Sequence, residues 1–95
     1  MQLDWSLRAL SDRQRIYTYY WSVASERLAD EADAAVVERV RAIARLNLVY
    51  RPGKASTREC VMRRFPFIII YRIDPKKVRV VRVLHQARAY FNYRA

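Results

Sequence analysis

The alternation of apolar and polar residues along the chain is broken by one unbroken apolar run, FIIIY at residues 67–71. The run is rich in β-branched and aromatic side chains and is too short for an ordinary helix, so it predicts a strand buried on both faces at the centre of a sheet. The cluster DPKK at residues 74–77 favours a turn, and VRVVRVL follows at residues 78–84. Together these segments predict a β-hairpin.

Alternation along the second strand of this hairpin predicts what each of its faces carries. One face has Val78, Val80, Arg82 and Leu84, and the other has Arg79, Val81 and Val83. Arg79 and Arg82 are therefore expected to point in opposite directions. Cations also flank the apolar run, with Arg63 and Arg64 before it and Arg72 after it. Such charges keep an aggregation-prone strand from pairing with other chains.

The first half of the chain has the three- and four-residue spacing of amphipathic helices, with Ser6 and Ser25 as predicted N-caps. The first helix has its apolar positions at Leu7, Leu10, Tyr17, Tyr20, Trp21 and Ala24. The second has them at Leu28, Ala32, Ala35, Val36, Val40, Ile43 and Leu46. We expect an antiparallel helical hairpin at about residues 7–46 that covers one face of the sheet, after a brief strand at residues 2–5.

Residues 47–57 form the expected connector between helices and sheet, and Arg51 and Lys54 within it are candidates for contact with a phosphate. The common alternative is that these cations are simply solvated beside a Pro-Gly turn. The sheet is expected at about residues 58–85, followed by a tail at residues 86–95. The sequence thus predicts an α+β fold in a single domain of residues 1–95. In it, an N-terminal antiparallel helical hairpin packs on a small, mostly antiparallel sheet of three to four strands.

The formal net charge of +10 is unevenly distributed. Residues 1–50 contain seven Arg and seven acidic residues, whereas residues 51–95 contain twelve Lys and Arg and two acidic residues. Sixteen of the nineteen cations are Arg, which favours bidentate contact with phosphate or carboxylate. The partners are therefore expected to be anionic. Nucleic acid, the ribosome and an acidic protein all remain open, as does a surface that is merely solvated.

The chemistry-bearing residues exclude several kinds of site. Cys60 is the single cysteine and His85 the single histidine, so the sequence predicts neither a disulfide framework nor a metal site, and no cofactor. Cys60 is expected to be a small buried hydrophobe. The beginning MQLDWSL lacks the features of a signal peptide, and the run at residues 67–71 is far too short to span a membrane. We therefore expect a cytoplasmic protein.

Three segments carry a resemblance to a known family: STREC at residues 56–60, PFIIIYRI at residues 66–73 and VRVLHQARAYF at residues 81–91. They resemble the RelE/ParE superfamily of bacterial toxins. The resemblance implies the toxin of a type II toxin–antitoxin module, neutralised by a cognate antitoxin with an acidic, partly disordered C-terminal segment. Such a segment folds on binding and needs an exposed aromatic and basic surface. The candidates for antitoxin binding are Tyr17, Tyr20, Trp21 and Arg72.

The superfamily divides by target. Members that resemble RelE cleave messenger RNA on the ribosome and commonly carry an arginine where this chain has Ile68. If this chain were such a nuclease, Arg88, His85 and Tyr90 would be catalytic and Arg51 and Lys54 would hold phosphate. His85 would then be a general acid or base; the alternative is that it ends the strand by bonding to a carbonyl or packing on the tail.

Members that resemble ParE bind DNA gyrase and stabilise its cleaved-DNA complex without performing chemistry themselves. The apolar central strand and the HQAR sequence at residues 85–88 are closer to these members, so gyrase is the expected target and an enzyme the less favoured alternative. A nucleic-acid-binding module without toxicity is a third hypothesis. The candidates for contact with the target are Arg51, Lys54, Arg79, Arg82, Arg88 and Tyr93.

Overall fold

The computed structural model describes residues 1–86. Its elements are, in order, β1 (Gln2–Trp5), α1 (Leu7–Val23), α2 (Glu26–Leu46), β2 (Arg51–Pro52), β3 (Arg58–Val61), β4 (Phe67–Ile73) and β5 (Lys77–His85). The α+β class, the helical hairpin and the β4–β5 hairpin are confirmed. The sheet has five strands rather than three to four, because β2, inside the predicted connector, pairs with β3. Apart from Gln86, the predicted tail lies outside the described residues.

The strand order is β1-β5-β4-β3-β2, so the FIIIY strand is central, as predicted. β1 runs parallel to β5, and the other neighbouring strands are antiparallel. Asp74 closes the β4–β5 turn, because its Oδ1 accepts the backbone N–H groups of Lys76 and Lys77 at 2.8 and 2.9 Å. These two bonds favour the ionised carboxylate and lower the pKa of Asp74.

Both faces of β4 are buried, as predicted. Phe67, Ile69 and Tyr71 face the helices, whereas Ile68 and Ile70 face the opposite side, which we call the outer face. The helix-facing core is completed mainly by Ala32, Val36, Val40, Ile43, Cys60, Met62, Phe65, Val78, Val80 and Val83. The outer cluster consists of Ile68, Ile70 and Leu84 with Val61 and Val81 packed against them. The expected burial of Cys60 is confirmed.

A β-bulge in β5 overturns part of the predicted alternation. The register with β4 leaves Val81 unpaired, so β5 has one residue more than its neighbour at this point. Val83 therefore joins the helix-facing core and Leu84 joins the outer cluster. The predictions that Leu84 shares a face with Val78 and Val80, and that Val83 shares one with Arg79, are wrong. The cause is local: a bulge shifts every later side chain by one position.

The caps of both helices are confirmed. The Ser6 and Ser25 hydroxyl oxygens accept the backbone N–H groups of Ala9 and Leu28, each at 3.0 Å. The C-cap of α2 is Asn47, which adopts the left-handed conformation that asparagine tolerates better than most residues. Neither α1 nor α2 is long and apolar enough to cross a membrane.

The packed side of α1 differs from the predicted stripe. It consists of Ala9, Asp12, Ile16 and Tyr20. Tyr20 packs against the core as predicted, but Leu7, Leu10 and Trp21 are 84%, 44% and 57% exposed. The packed positions still have helical spacing, and a carboxylate occupies one of them. Because Asp12 is charged, a search for apolar periodicity did not count it, and the predicted stripe fell on another side of α1.

Candidate functional site

A buried carboxylate fastens α1 to the edge of β5 beyond the end of β1. Ser6 Oγ donates to the carbonyl of Val81 at 2.7 Å. Asp12 accepts two hydrogen bonds from the guanidinium of Arg82, at 2.8 and 3.1 Å, and one from the backbone N–H of Val83 at 2.9 Å. The bond to Asp12 raises the pKa of Arg82. Arg82, a predicted target-binding residue, is thus engaged within the fold, with 18% of its side chain exposed.

An apolar groove of about 520 Å³ lies beside this contact, between the C-terminal half of α1 and the ends of β4 and β5. We call it the helix–sheet groove. Its apolar lining is formed mainly by Ile16, Tyr19, Tyr20, Val23, Phe67, Val83 and Leu84. Tyr19 and Val23 are 58% and 61% exposed. Large exposed apolar side chains beside a concave apolar surface are typical of interaction sites.

The four residues predicted to bind the antitoxin do not form one surface. Tyr17 donates its hydroxyl to Asp30 of α2 at 2.9 Å, and this bond raises the pKa of Tyr17. Tyr20 packs edge-on against two core phenylalanines, and burial raises its pKa. Trp21 is more than half exposed on α1. Arg72 lies on the outer face of β4, on the other side of the sheet from the helices.

Arg51, a predicted phosphate contact, is paired with a buried carboxylate. Its Nε donates to Oε1 of Glu59 at 2.9 Å, and the two side chains are 50% and 1% exposed. Gly53 allows this close approach: a Cβ there would lie 2.7 Å from Thr57 Oγ1 and 2.9 Å from Glu59 Oε2. Lys54, the second predicted phosphate contact, follows on the exposed β2–β3 loop. The structure therefore brings Arg51 and Lys54 to one hairpin.

The loop that carries Lys54 has a strained turn. Ala55 and Ser56 both have positive φ, 53° and 60°, and the Thr57 N–H donates to the Lys54 carbonyl at 3.0 Å. Two successive residues with positive φ are characteristic of a type I′ turn, which prefers Asn-Gly. Other residues cost roughly 1 kcal/mol or more in this conformation. Arg72 Nε donates to the Ala55 carbonyl at 3.2 Å, which joins the turn to β4.

Two arginines face each other on the outer face: Arg72 of β4 is the register partner of Arg79 of β5. We call them the arginine pair. Both are exposed. Arg79 forms an ion pair with Asp4 of β1, and Lys77 Nζ is 3.7 Å from the same carboxylate. A predicted antitoxin-binding residue and a predicted target-binding residue thus share one surface.

His85 is the one candidate for nuclease catalysis, as distinct from phosphate binding, that falls within residues 1–86. It is the exposed last residue of β5, pairs with Phe67 in the sheet register and contributes to the helix–sheet groove. Arg88, Tyr90 and Tyr93 lie outside the described residues. Residues 1–86 contain no group of three or more His, Cys, Asp and Glu side chains that could hold a metal ion.

Ile68 occupies the position at which RelE-like members commonly carry an arginine. It is 5% exposed and packs in the outer cluster with Ile70 and Leu84. The surroundings of this position are hydrocarbon on both neighbouring strands, because Val61 of β3 is its partner on one side and Leu84 of β5 on the other. The structure presents an apolar patch here rather than a charged site.

Sequence reasoning missed two residues. Asp12 was overlooked because an acid seldom belongs to the packed side of a helix; its position between Ala9 and Ile16 was the available signal. Tyr19 was not selected because the helical spacing favoured Tyr17 and Tyr20. Its place in an aromatic cluster on α1 was visible, but which side of the helix stayed exposed depended on the contact of Asp12 with β5.

Comparison with known proteins agrees with the fold. Residues 3–90 match the family model of the ParE toxin of type II toxin–antitoxin systems, parDE. A Sinorhizobium fredii protein, Y4kP, whose name classes it as a candidate toxin, is 37% identical over 89 residues, covering 88% of this chain and 86% of that protein. A chain from the chromosomal ParDE system of P. aeruginosa has a TM-score of 0.80 at 25% identity, over 90% of this chain and 95% of that one. This chain therefore belongs to the ParE toxin family of type II toxin–antitoxin systems.

Proposed function

We propose that this toxin acts by binding DNA gyrase and stabilising its cleaved-DNA complex. The burial of Ile68 in the outer cluster is the observation that carries the proposal. A guanidinium at this position would lie among the hydrocarbon side chains of Ile70, Leu84 and Val61, the neighbours of Ile68 within residues 1–86. An unpaired charge in such a place costs several kcal/mol. The chain is thus unsuited to hold a phosphate there, whereas an inhibitor that acts by binding needs no such group.

The experiment is a supercoiling and DNA-cleavage assay with purified gyrase. We expect rising toxin concentrations to slow supercoiling and to accumulate cleaved DNA that is covalently held by the enzyme. Toxin premixed with its cognate antitoxin is the control and should do neither. Unchanged supercoiling at a large excess of toxin would contradict the proposal.

Cleavage of messenger RNA on the ribosome is the alternative that the same toxin preparation can test. It would rest on His85, Arg88 and Tyr90, with Arg51 and Lys54 on the phosphate. In the structure the guanidinium of Arg51 is already bonded to Glu59. Primer extension on translated messenger RNA would detect cuts within the ribosomal A site, and under the gyrase proposal none should appear.

The antitoxin is the second partner, because the family pairs toxin with antitoxin in one module. We place its main contact at the helix–sheet groove. The groove is apolar, Tyr19 and Val23 extend it on α1, and an amphipathic helix or an extended apolar segment fits such a surface. The acidic character expected of the antitoxin also suits a toxin with a net charge of +10.

Substitution of the exposed groove residues tests this contact. Tyr19→Ala combined with Val23→Ala should weaken binding of the purified cognate antitoxin by about 2 kcal/mol or more, measured by calorimetry, because aromatic anchors dominate interfaces. Val49→Ala is the matched control, since Val49 is 64% exposed and does not line the groove. If the double variant and the control bind the antitoxin with equal affinity, the antitoxin does not make its main contact at the helix–sheet groove.

A further inference from the structure

The arginine pair places two like charges opposite each other on neighbouring interior strands of the sheet, β4 and β5. Like charges directly opposite each other on neighbouring strands are destabilising. Arg72 and Arg79 nevertheless occupy such positions on β4 and β5, on the outer face, and the register is fixed by the short turn at Asp74. A like-charged pair on an open surface is a candidate site for an anion between its members.

Each guanidinium is held by one contact within the protein and has further N–H donors that can bind a ligand. Arg72 uses its Nε on the Ala55 carbonyl, and no carboxylate of residues 1–86 forms an ion pair with it. Arg79 uses one Nη on Asp4. A guanidinium has five N–H donors, so each arginine retains several for a ligand. Two such groups on adjacent strands, with Cβ atoms about 5 Å apart, suit the oxygens of a phosphate.

The position in the sheet indicates which anion this is. An acidic peptide commonly binds a sheet by adding a strand at an edge. β5 offers no free edge at the arginine pair, because it is paired with β1 at Arg79, and the β2–β3 turn lies beside Arg72 of β4, whose Nε donates to the Ala55 carbonyl. A ligand here must be recognised by side chains alone, through its charge, as the phosphates of a nucleic-acid backbone are.

We propose that the arginine pair contacts the backbone phosphates of DNA, so that the toxin touches the nucleic acid as well as gyrase. This rests on the proposed function, which supplies the DNA held by gyrase. The surrounding charge is favourable, because the four cations at this end of the sheet outnumber the two acids and leave a net charge of +2: Arg72, Lys76, Lys77 and Arg79 against Asp4 and Asp74. On the helical side of the molecule, Arg41 and Arg45 lie beside Asp30, Asp33 and Glu38 instead.

The test is the salt dependence of binding to a short labelled DNA duplex without gyrase. We compare the wild type with Arg72→Gln/Arg79→Gln and with Arg41→Gln/Arg45→Gln, which removes the same charge from exposed positions on α2. Loss of two phosphate contacts should make the plot of log K against log salt shallower by about 2 for the arginine-pair variant. The α2 variant should keep the slope of the wild type. Equal slopes for all three proteins, or equal reductions in both variants, would overturn the inference.

The gyrase assay separates this inference from the proposed function. If the wild type traps cleaved DNA and the arginine-pair variant binds DNA with an unchanged slope, the inference fails and the gyrase proposal stands. If the wild type leaves gyrase unaffected but the slope still falls by about 2, the gyrase proposal fails and the phosphate contact stands. If the arginine-pair variant loses affinity for the cognate antitoxin while its slope for DNA is unchanged, the surface belongs to the antitoxin and the inference is overturned.

A measurement on the unmodified toxin covers the case in which the double variant does not fold. Titration of isotope-labelled wild type with the same duplex should shift the Nε–H resonances of Arg72 and Arg79 first. Shifts confined to Arg41 and Arg45 would overturn the inference.

Discussion

β3, β4 and β5 contribute side chains to both the helix-facing and the outer face of the sheet, but the two faces are completed in different ways. The helix-facing side continues into α1 and α2, and its polar groups are internally bonded: the Tyr71 hydroxyl donates to the Leu48 carbonyl and accepts the Tyr50 N–H. The outer side has the small cluster around Ile70, and next to it the arginine pair. The helix-facing side of these strands therefore forms the main core, whereas their outer side carries exposed charges.

The two faces also differ in how many locally unfavourable features they contain, such as like charges placed opposite each other or strained backbone. The helix-facing core has an ion pair at its margin, Asp12 with Arg82, and that pair is fully hydrogen-bonded. The outer side has like charges opposite each other and, at Ala55, a turn in a costly conformation. Unfavourable local features concentrate at functional surfaces more often than in cores. This contrast supports the proposed phosphate contact on the outer side and predicts how substitutions on each side should differ.

The largest effect is expected from Asp12→Ala. It would leave the guanidinium of Arg82 and the Val83 N–H without their partner at a site where the carboxylate is 5% exposed. Breaking a buried pair costs about 3 to 5 kcal/mol of unfolding free energy. Urea denaturation measures it. Asp33→Ala is the control, since its pair with Arg13 is 25% to 29% exposed, and it should cost about 1 kcal/mol or less.

The second prediction compares the two faces at adjacent residues of β4. Ile69 faces the helices, Ile70 faces outward, and both are 0% exposed. Ile69→Ala should cost about 4 kcal/mol, and Ile70→Ala about 2 kcal/mol, because neighbours on a thin outer cluster relax into the space more readily than a core between two layers. The unfolding free energies of the two variants provide the check. Equal losses would show that the outer cluster is packed as firmly as the core.

Much of the fold was readable from sequence because it depends on local pattern. The FIIIY run, the Asp74 turn, the Ser6 and Ser25 caps and the helical hairpin all carry their signal within a few residues. The opposition of Arg72 and Arg79 was also accessible, since the two are equally distant from the turn that joins their strands. Register around a short turn brings such residues together.

The rest depends on contacts between distant segments. The bulge falls at Val81, which looks like its neighbour Val80 in any pattern, and the two-residue β2 is too short to give a period. The packed side of α1 is decided by the bond of Asp12 to the backbone of β5, about seventy residues later in the chain. No periodicity of the helix itself contains that information.

The third prediction concerns the strained turn beside the outer face. Replacing Ala55 by Asn and Ser56 by Gly supplies the residues that a type I′ turn prefers, so the unfolding free energy should rise by about 1 kcal/mol. Thermal or urea denaturation measures the gain. Ala34→Gly, at an exposed position within α2, is the contrasting control and should lower stability by about 1 kcal/mol. A loss in the turn variant would show that contacts of the native side chains outweigh the strain.

The smallest effect is expected at the arginine pair itself. Arg72→Thr removes the like charge opposite Arg79 and introduces a good strand residue, so stability should rise by about 0.2 to 1 kcal/mol at low ionic strength and the gain should shrink with added salt. The lost bond to the Ala55 carbonyl is exposed and offsets little of this. If stability rises while DNA binding weakens, the outer face holds these charges for a ligand. If stability falls, Arg72 serves the fold, and the two faces of the sheet differ less than their charges indicate.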